Sequence, residues 1–449
     1  MNSDVYKPKY HVEAKDVISE LSNYMLVDGF ELVLDTKKSK GSRIHDSLSG
    51  KDLLDFFTFF ASCPIGMNHP KMTEKSFIEY MGREALNKPS NSDIYTEVMA
   101  TFVKTFFKNF VPKHFKYSFY VSGGALAVEN AMKTAFDWKV RLNFLKGYKE
   151  EKGHQIIHFK QAFHGRSGYT MSITNTDPAK IELFPKFNWP RITNPMLKFP
   201  ITPENLAETI ELEKIAIEEI KQAFIKNKDD IAAIIIEPIQ AEGGDHHFRH
   251  EFLKELRNLA DENDALLIFD EVQTGGGLTG TFWAHEQLGV EPDILAFGKK
   301  LQICGILVGE RIDAIEDHVF KVSSRINSTW GGNYVDMIRA TKYLEIIEEE
   351  KLVENVNNLA GFFNDKIKEL SDNYPEFISN PRGRGFFSAF DMDSHVHRNL
   401  FRQNCWDNGL IVLNSGFQSI RFRPPLNLTK DEIIEAFDIM NDVMKNFEK

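Results

Sequence analysis

The chain has 449 residues, and its 54 Lys plus Arg against 65 Asp plus Glu leave a formal charge of 54 − 65 = −11. That balance argues against general nucleic-acid binding, which needs a basic face, but not against small anions held by a few local arginines. At 42% hydrophobic and 27% charged the composition is ordinary globular, and the length suggests roughly two or three domains. Only Cys63, Cys304 and Cys405 occur, widely spaced and odd in number, so neither a disulfide framework nor a zinc site is expected. The opening "MNSDVYKPKYHVEAKD" carries no apolar signal core, and no run approaches the roughly 20 apolar residues that cross a bilayer. A soluble cytoplasmic protein without membrane or nucleic-acid partners is the expectation.

In chain order, the first part contains a strand-like "FELVLD" and the apolar "LLDFFTFFAS". From about residue 95 helical and strand-like segments alternate. "TEVMATFVKTFFKNFV" has helical spacing, "KYSFYVS" reads as a strand, and "ALAVENAMKTAFDWKVRLNFL" is again helical. "HQIIHFK", "IAAIIIEP" and "ALLIFDEV" are compact apolar runs separated by amphipathic helices such as "EFLKELRNLADEN". Short apolar strands alternating with helices predict a parallel sheet covered on both faces. After about residue 335 comes a long, charged, helical stretch, and the tail segments "GFFSAFDM", "GLIVLN" and "SIRFRPP" suggest a smaller α+β unit. The expected boundaries are 1–75, 76–335 and 336–449, with the large domain in the middle.

Ligands of open α/β sheets bind beyond the carboxyl ends of the strands, so the residues after each apolar run carry the interest. "YVSGGALAVENAMK" passes from strand to helix through Ser122-Gly123-Gly124, a turn whose free N–H groups could cradle a phosphate or merely cap a helix. Asp270 ends "ALLIFD"; a carboxylate there needs a cation or several donors. Alternation turns Asp270 and Glu271 to opposite sides. Glu237 also stands at a strand end, with Glu242 in a glycine-flanked loop after it. His246 and His250 have the i, i+4 spacing of a metal pair, but without a third ligand they are expected on a solvated face, with no metal. "HFKQAFHGRSGYT" supplies Phe163, His164 and Arg166 after another strand, and "SIRFRPP" supplies Arg421 and Arg423, whose plain reading is a surface pair. "PDILAFGKKLQICG" brings two adjacent lysines, Lys299 and Lys300, either on a surface turn or with one amine at a buried site.

Together these residues describe one object. A phosphate cup, a strand-end acid, a flat stacking surface, an amine and carboxylate-binding arginines are what pyridoxal phosphate and amino-acid substrates require. The acid keeps the pyridine nitrogen protonated, and the lysine holds the aldehyde and then shuttles the proton.

The motifs "SGGALAVENAMK", "FHGRSGYT", "EPIQAEGG", "FDEVQTGGGLTG", "PDILAFGK" and "STWGGN", in this order, resemble the class III (subgroup II) aminotransferases of pyridoxal-phosphate fold type I. The resemblance implies a large domain on a mostly parallel seven-stranded sheet and a smaller α+β domain drawn from both termini. It implies Gly124 and Ala125 as phosphate donors, Phe163 as the stacking residue, Asp270 at the pyridinium nitrogen, Val272 behind the ring and Gln273 at the phenolic oxygen. Thr329 would reach the phosphate of a neighbouring subunit, which implies a homodimer with shared active sites. The family places its lysine seven residues after the proline of "PD", which is Lys299; in an extended segment Lys300 would then point away.

Ala125, Leu278 and the "KLQICG" after the lysine depart from the commoner glutamate, arginine and glycine-rich run. With "LNKPSNSDIY" and "FPKFNWPRI" these departures are similar to the L-lysine 6-aminotransferase branch. The implied substrates are L-lysine and 2-oxoglutarate, with Arg166 gripping the distal α-carboxylate, Arg421 the carboxylate beside the keto group, and Glu242 covering Arg421 until 2-oxoglutarate displaces it. Other terminal amines as donors, a racemase on the same scaffold, or a decayed site remain alternatives at this level.

Overall fold

The computed structural model describes residues 6–447. Strands β1 (Arg43–His45) and β2 (Asp52–Asp55) form an antiparallel pair near the N-terminus. The centre of the molecule is a seven-stranded sheet of β3 (Phe115–Val121), β4 (Gln155–Phe159), β5 (Arg191–Ile192), β6 (Ile231–Ile236), β7 (Leu266–Asp270), β8 (Ile294–Phe297) and β9 (Cys304–Gly309). Its order is β3-β9-β8-β7-β6-β4-β5. Only β9 runs against its neighbours; the β8–β7, β7–β6, β6–β4 and β4–β5 pairings are all parallel. The expected mostly parallel, seven-stranded α/β sheet is what forms.

The apolar runs dictate this burial. Every residue of β6, β7 and β8 is buried, as a sheet covered on both faces requires. Alternation then sorts side chains to two cores. Ile268 packs with Ala127, Val128, Ala131, Met132, Ala135 and Trp138 of a helix over Gly124–Leu145. Its neighbours Leu267 and Phe269 pack with Phe252, Leu253, Leu256 and Leu259 of a helix over His250–Glu262. Both helices present apolar residues at three- and four-residue spacing, which is why each covers one face.

Helices Tyr334–Glu349 and Leu352–Asn373 follow, then β10 (Ile378–Arg384), β11 (Phe387–Met392), β12 (Leu410–Ile411), β13 (Leu413–Ser415) and β14 (Ser419–Phe422). β10-β11-β14-β13 form a separate antiparallel sheet, while β12 pairs in parallel with β2. Residues from both ends of the chain thereby share one sheet. "FELVLD" does not form a strand: it makes one isolated bridge, Leu34 to Asp46, and the Asp46 carboxylate accepts the Val33 N–H at 3.0 Å instead. "GLIVLN" is split at Val412 between two sheets. Among the described residues no helix is long and apolar enough to cross a membrane.

Candidate active site

Because β3, β4, β6, β7 and β8 run the same way, their carboxyl ends open on one edge of the sheet, where a cavity of about 750 Å³ lies. At the end of β3 the chain turns through Gly123, whose φ of +123° suits glycine, and Gly124 opens the following helix with no side chain capping it. Gly124 and Ala125 line the cavity. A Cβ on Gly124 would stand 2.9 Å from Val272 Cγ1, so the glycine lets the helix end and the loop after β7 meet closely.

Asp270 ends β7, 5% exposed, and uses both oxygens: Oδ1 accepts the Val272 N–H at 3.0 Å and Oδ2 lies 2.8 Å from His164 Nδ1. The His164 ring is fully buried behind it, its Nε2 without a partner among the described residues. Alongside, the Glu237 carboxylate accepts the Phe163 N–H at 2.9 Å and the Ala241 N–H at 3.0 Å. Burial pushes Glu237 up to about 7, with His164 opposing the rise and Asp270 adding to it. Glu271 faces elsewhere, as alternation requires, accepting N–H groups from Ala284 (2.7 Å) and His285 (2.9 Å) and the Thr274 hydroxyl. It holds the structure together away from the cavity.

The two lysines part company. They lie in a 3-10 turn, Lys299–Leu301, with φ +49° at Lys299, so the segment is not extended as the sequence reading assumed. The divergence holds for another reason. Lys299 lines the cavity, and burial first, then Arg421, with Glu242 opposing, lower it to about 8. Lys300 is 2% exposed, packs over Gly276 and donates to the Gln273 carbonyl at 2.5 Å; burial drives it well below the usual lysine range. One amine is a cavity group, the other a strut in its wall.

Arg421 and Arg423 are not a surface pair; both are buried, Arg421 in β14 and Arg423 just beyond its end. Arg423 donates to both oxygens of Asp245 (2.9 and 2.7 Å), lies 3.5 Å from the Phe387 ring centroid, and gives its Nε–H to Gln273 Oε1 at 2.9 Å. Arg421 Nη2 donates to Glu242 Oε2 at 2.6 Å, and its Nε has no partner among the described residues. Glu242 lines the cavity; Arg421 does not and is screened by it. The Glu242 carboxylate is lowered on balance: burial raises it, and Arg421 and Lys180 together outweigh that. Arg166, by contrast, is exposed at the cavity wall with no hydrogen-bond or ion-pair partner among the described residues.

Phe163, Val272 and Gln273 line the cavity, but Gln273 Oε1 is taken by Arg423 and, at 3.4 Å, by Arg421, leaving only its amide nitrogen. Thr329 is exposed and does not line this chain's cavity; its carbonyl accepts the hydroxyls of Ser90 (2.5 Å) and Ser92 (3.2 Å). His246 is buried against Gln240 and Asn194, not solvated, and starts no metal site: among the described residues no three metal-binding side chains cluster.

Three contributors, Lys180, Phe60 and Ser62, escaped sequence reasoning. Lys180 lines the cavity from a turn, Pro178–Lys180, with no strand before it. Phe60 and Ser62 arrive from the N-terminal part, where Thr58, Phe59, Phe60 and Ala61 all have positive φ. That left-handed turn costs roughly 1–2 kcal/mol per residue and persists only because it is tied down. Asp55 accepts the Phe57 and Thr58 N–H groups at 2.8 Å each, and the Thr58 hydroxyl donates to the Arg423 carbonyl.

Residues 24–444 match the family model "Aminotransferase class-III". An L-lysine-epsilon aminotransferase of Mycobacterium tuberculosis is 48% identical over 417 residues, covering 93% of this chain and 92% of that protein. Its counterpart in Streptomyces clavuligerus is 45% identical over 432 residues, covering 96% and 94%. A solved structure of lysine aminotransferase from M. tuberculosis in the internal aldimine form superposes with a TM-score of 0.94 at 46% identity, covering 97% of this chain and 99% of that one. The family implies pyridoxal phosphate, and the groups present fit it: an uncapped helix end beside Gly124 for a phosphate, a buried amine with lowered basicity, a strand-end carboxylate with a lone pair to spare, and a half-buried phenylalanine. Fold, motif order and site geometry agree, and the chain belongs to the class III aminotransferases.

Proposed function

We propose that the protein transfers the ε-amino group of L-lysine to 2-oxoglutarate, giving 2-aminoadipate 6-semialdehyde and L-glutamate, with pyridoxal phosphate carried on Lys299. One observation carries this reading: of two arginines able to bind a substrate carboxylate, Arg166 is without a partner among the described residues while Arg421 is held behind Glu242. A terminal-amine donor has its carboxylate far from the reacting nitrogen and needs only the distant arginine. A dicarboxylate acceptor needs both. The relatives named for lysine ε-amino transfer at 45–48% identity support the donor.

When bound, pyridoxal phosphate accepts the amino group and provides an electron-accepting ring. Asp270, fixed by His164 and the Val272 N–H, would hold a proton at the ring nitrogen. Phe163 and Val272 would hold the ring between them, and the helix end at Gly124 and Ala125 would take the phosphate. Lys299, with basicity lowered to about 8, is suited to take the proton from the ε-carbon of the substrate near neutral pH and to return it. Arg166 grips the α-carboxylate of lysine, and later the far carboxylate of 2-oxoglutarate. Glu242 neutralises Arg421 against α-carboxylates of ordinary amino acids until the acceptor takes its place.

The proposal includes a homodimer in which Thr329 reaches the partner's phosphate site. The exposed Ile94, Tyr95 and Trp330, close in sequence to Ser90, Ser92 and Thr329, support an interface there. Three free cysteines, two of them buried, suit a reducing cytoplasm.

The test is the absorption spectrum of the purified holoenzyme on adding L-lysine without a keto acid, beside L-ornithine and 4-aminobutyrate. Conversion of the cofactor's aldehyde-form band to its amine-form band by lysine is expected. Conversion by another amine alone would overturn the donor and keep the family.

A further inference from the structure

Lys180 belongs to no segment the family motifs mark, yet it stands in the cavity wall with Arg166, Lys299 and Glu242. A short turn, Pro178–Lys180, aims it there; the Asp177 carboxylate opens the turn by accepting the Ala179 N–H at 3.0 Å. Its ammonium lies 5.4 Å from the Phe163 ring centroid and 2.7 Å from Glu242 Oε1. Among the described residues Glu242 is its only acidic partner.

Glu242 therefore sits between two cations, each on a different oxygen: Lys180 on Oε1 and Arg421 on Oε2. Arg421 offers an unpartnered Nε beside the Nη2 that Glu242 occupies. A carboxylate arriving on the Nε–Nη2 edge of Arg421 needs to break one contact only, the one to Oε2. Without a second cation the released Glu242 would be left as a half-buried charge next to the incoming anion, a costly arrangement.

We propose that Lys180 is the second seat of Glu242: a specificity-determining residue that holds the carboxylate while Arg421 passes to the dicarboxylate acceptor. The inference rests on the acceptor reading above and adds a residue to it. Lys180 favours two-carboxylate ligands over one-carboxylate ligands without being their principal ligand, because its effect runs through Glu242.

The experiment measures calorimetric binding of glutarate, which has both carboxylates and no reacting keto group, and of pentanoate, which has one. The proteins are wild-type holoenzyme, Lys180→Met, Lys180→Arg, Glu242→Gln and the Lys180→Met/Glu242→Gln double variant. Lys180→Met should weaken glutarate roughly three- to fivefold, the upper part of the range for a partly exposed ion pair, and pentanoate much less. Lys180→Arg should restore most of the loss. In the Glu242→Gln background the Lys180→Met effect should shrink to within about twofold, since no carboxylate remains to be seated. An equal loss in both backgrounds would mean that Lys180 touches the ligand directly, and would overturn the inference. So would unchanged glutarate binding in Lys180→Met. If the wild type binds glutarate no better than pentanoate, the two-arginine acceptor reading fails and this inference fails with it.

Discussion

Glu237→Gln isolates the acid that lies beside His164 and Asp270. The carboxyl is buried and raised from 4.5 to about 7, a difference of 7 − 4.5 = 2.5 pH units. At 1.36 kcal/mol per unit this is about 3 kcal/mol of stability. The sign follows from proton binding. Below about 4.5 both folded and unfolded chains hold the proton, and the group contributes nothing. Between 4.5 and 7 only the folded chain holds it, so stability falls as pH rises; above 7 the full cost is present. Glutamine has no such titration. It also turns one of two acceptors toward the Phe163 or Ala241 N–H into a donor, but that cost is the same at every pH and cancels from the comparison. The variant should therefore gain on the wild type by about 3 kcal/mol between about pH 4.5 and pH 7. With roughly 2.1 cal/mol/K per residue over 449 residues, the Tm difference should move by about 3–4 °C. The assay is the melting of both holoenzymes across that window by circular dichroism. Parallel Tm curves would refute the reasoning, because they would mean Glu237 ionises alike in folded and unfolded chains.

Glu242→Ala should let glutamate-type α-amine donors react better in the first half-reaction, since Arg421 loses its cover; an unchanged preference between α- and ω-amines, read from half-reaction rates, would sink the switch. Borohydride reduction of the holoenzyme followed by peptide mapping should place the cofactor on Lys299 and not on Lys300, whose amine is spent on the Gln273 carbonyl. Label on Lys300 would reverse the assignment. Arg423→Met leaves Asp245 buried without its cation, at a cost of about 3–5 kcal/mol, and should lower Tm by several degrees; Asp245→Asn in the same chain should recover part of it.

The central sheet was legible because unbroken apolar runs such as "IAAIIIEP" and "ALLIFDEV" leave few alternatives to buried parallel strands. "FELVLD" misled because its alternation suits an edge strand, while Asp46 supplies a side-chain acceptor in place of a ladder. Gly124, Phe163, Glu242, Asp270 and Lys299, each at or beyond a strand end, line one cavity, since parallel strands deliver their carboxyl ends to one edge. Arg421 and Arg423 looked like surface charges because sequence carries no sign of the acids that compensate them. Asp245 and Glu242 lie some 180 residues away along the chain.

The sequence by itself determined the sheet, the family and the strand-end residues, since these depend on local periodicity and on motifs short enough to read in one piece. Tertiary structure alone decided which partner each charged group meets. His164 behind Asp270, Lys180 against Glu242, Lys300 on the Gln273 carbonyl and the left-handed turn that presents Phe60 all join segments distant in sequence. A charge in a cavity wall takes its energy from whatever folding brings within a few ångströms of it, and chain order does not record that.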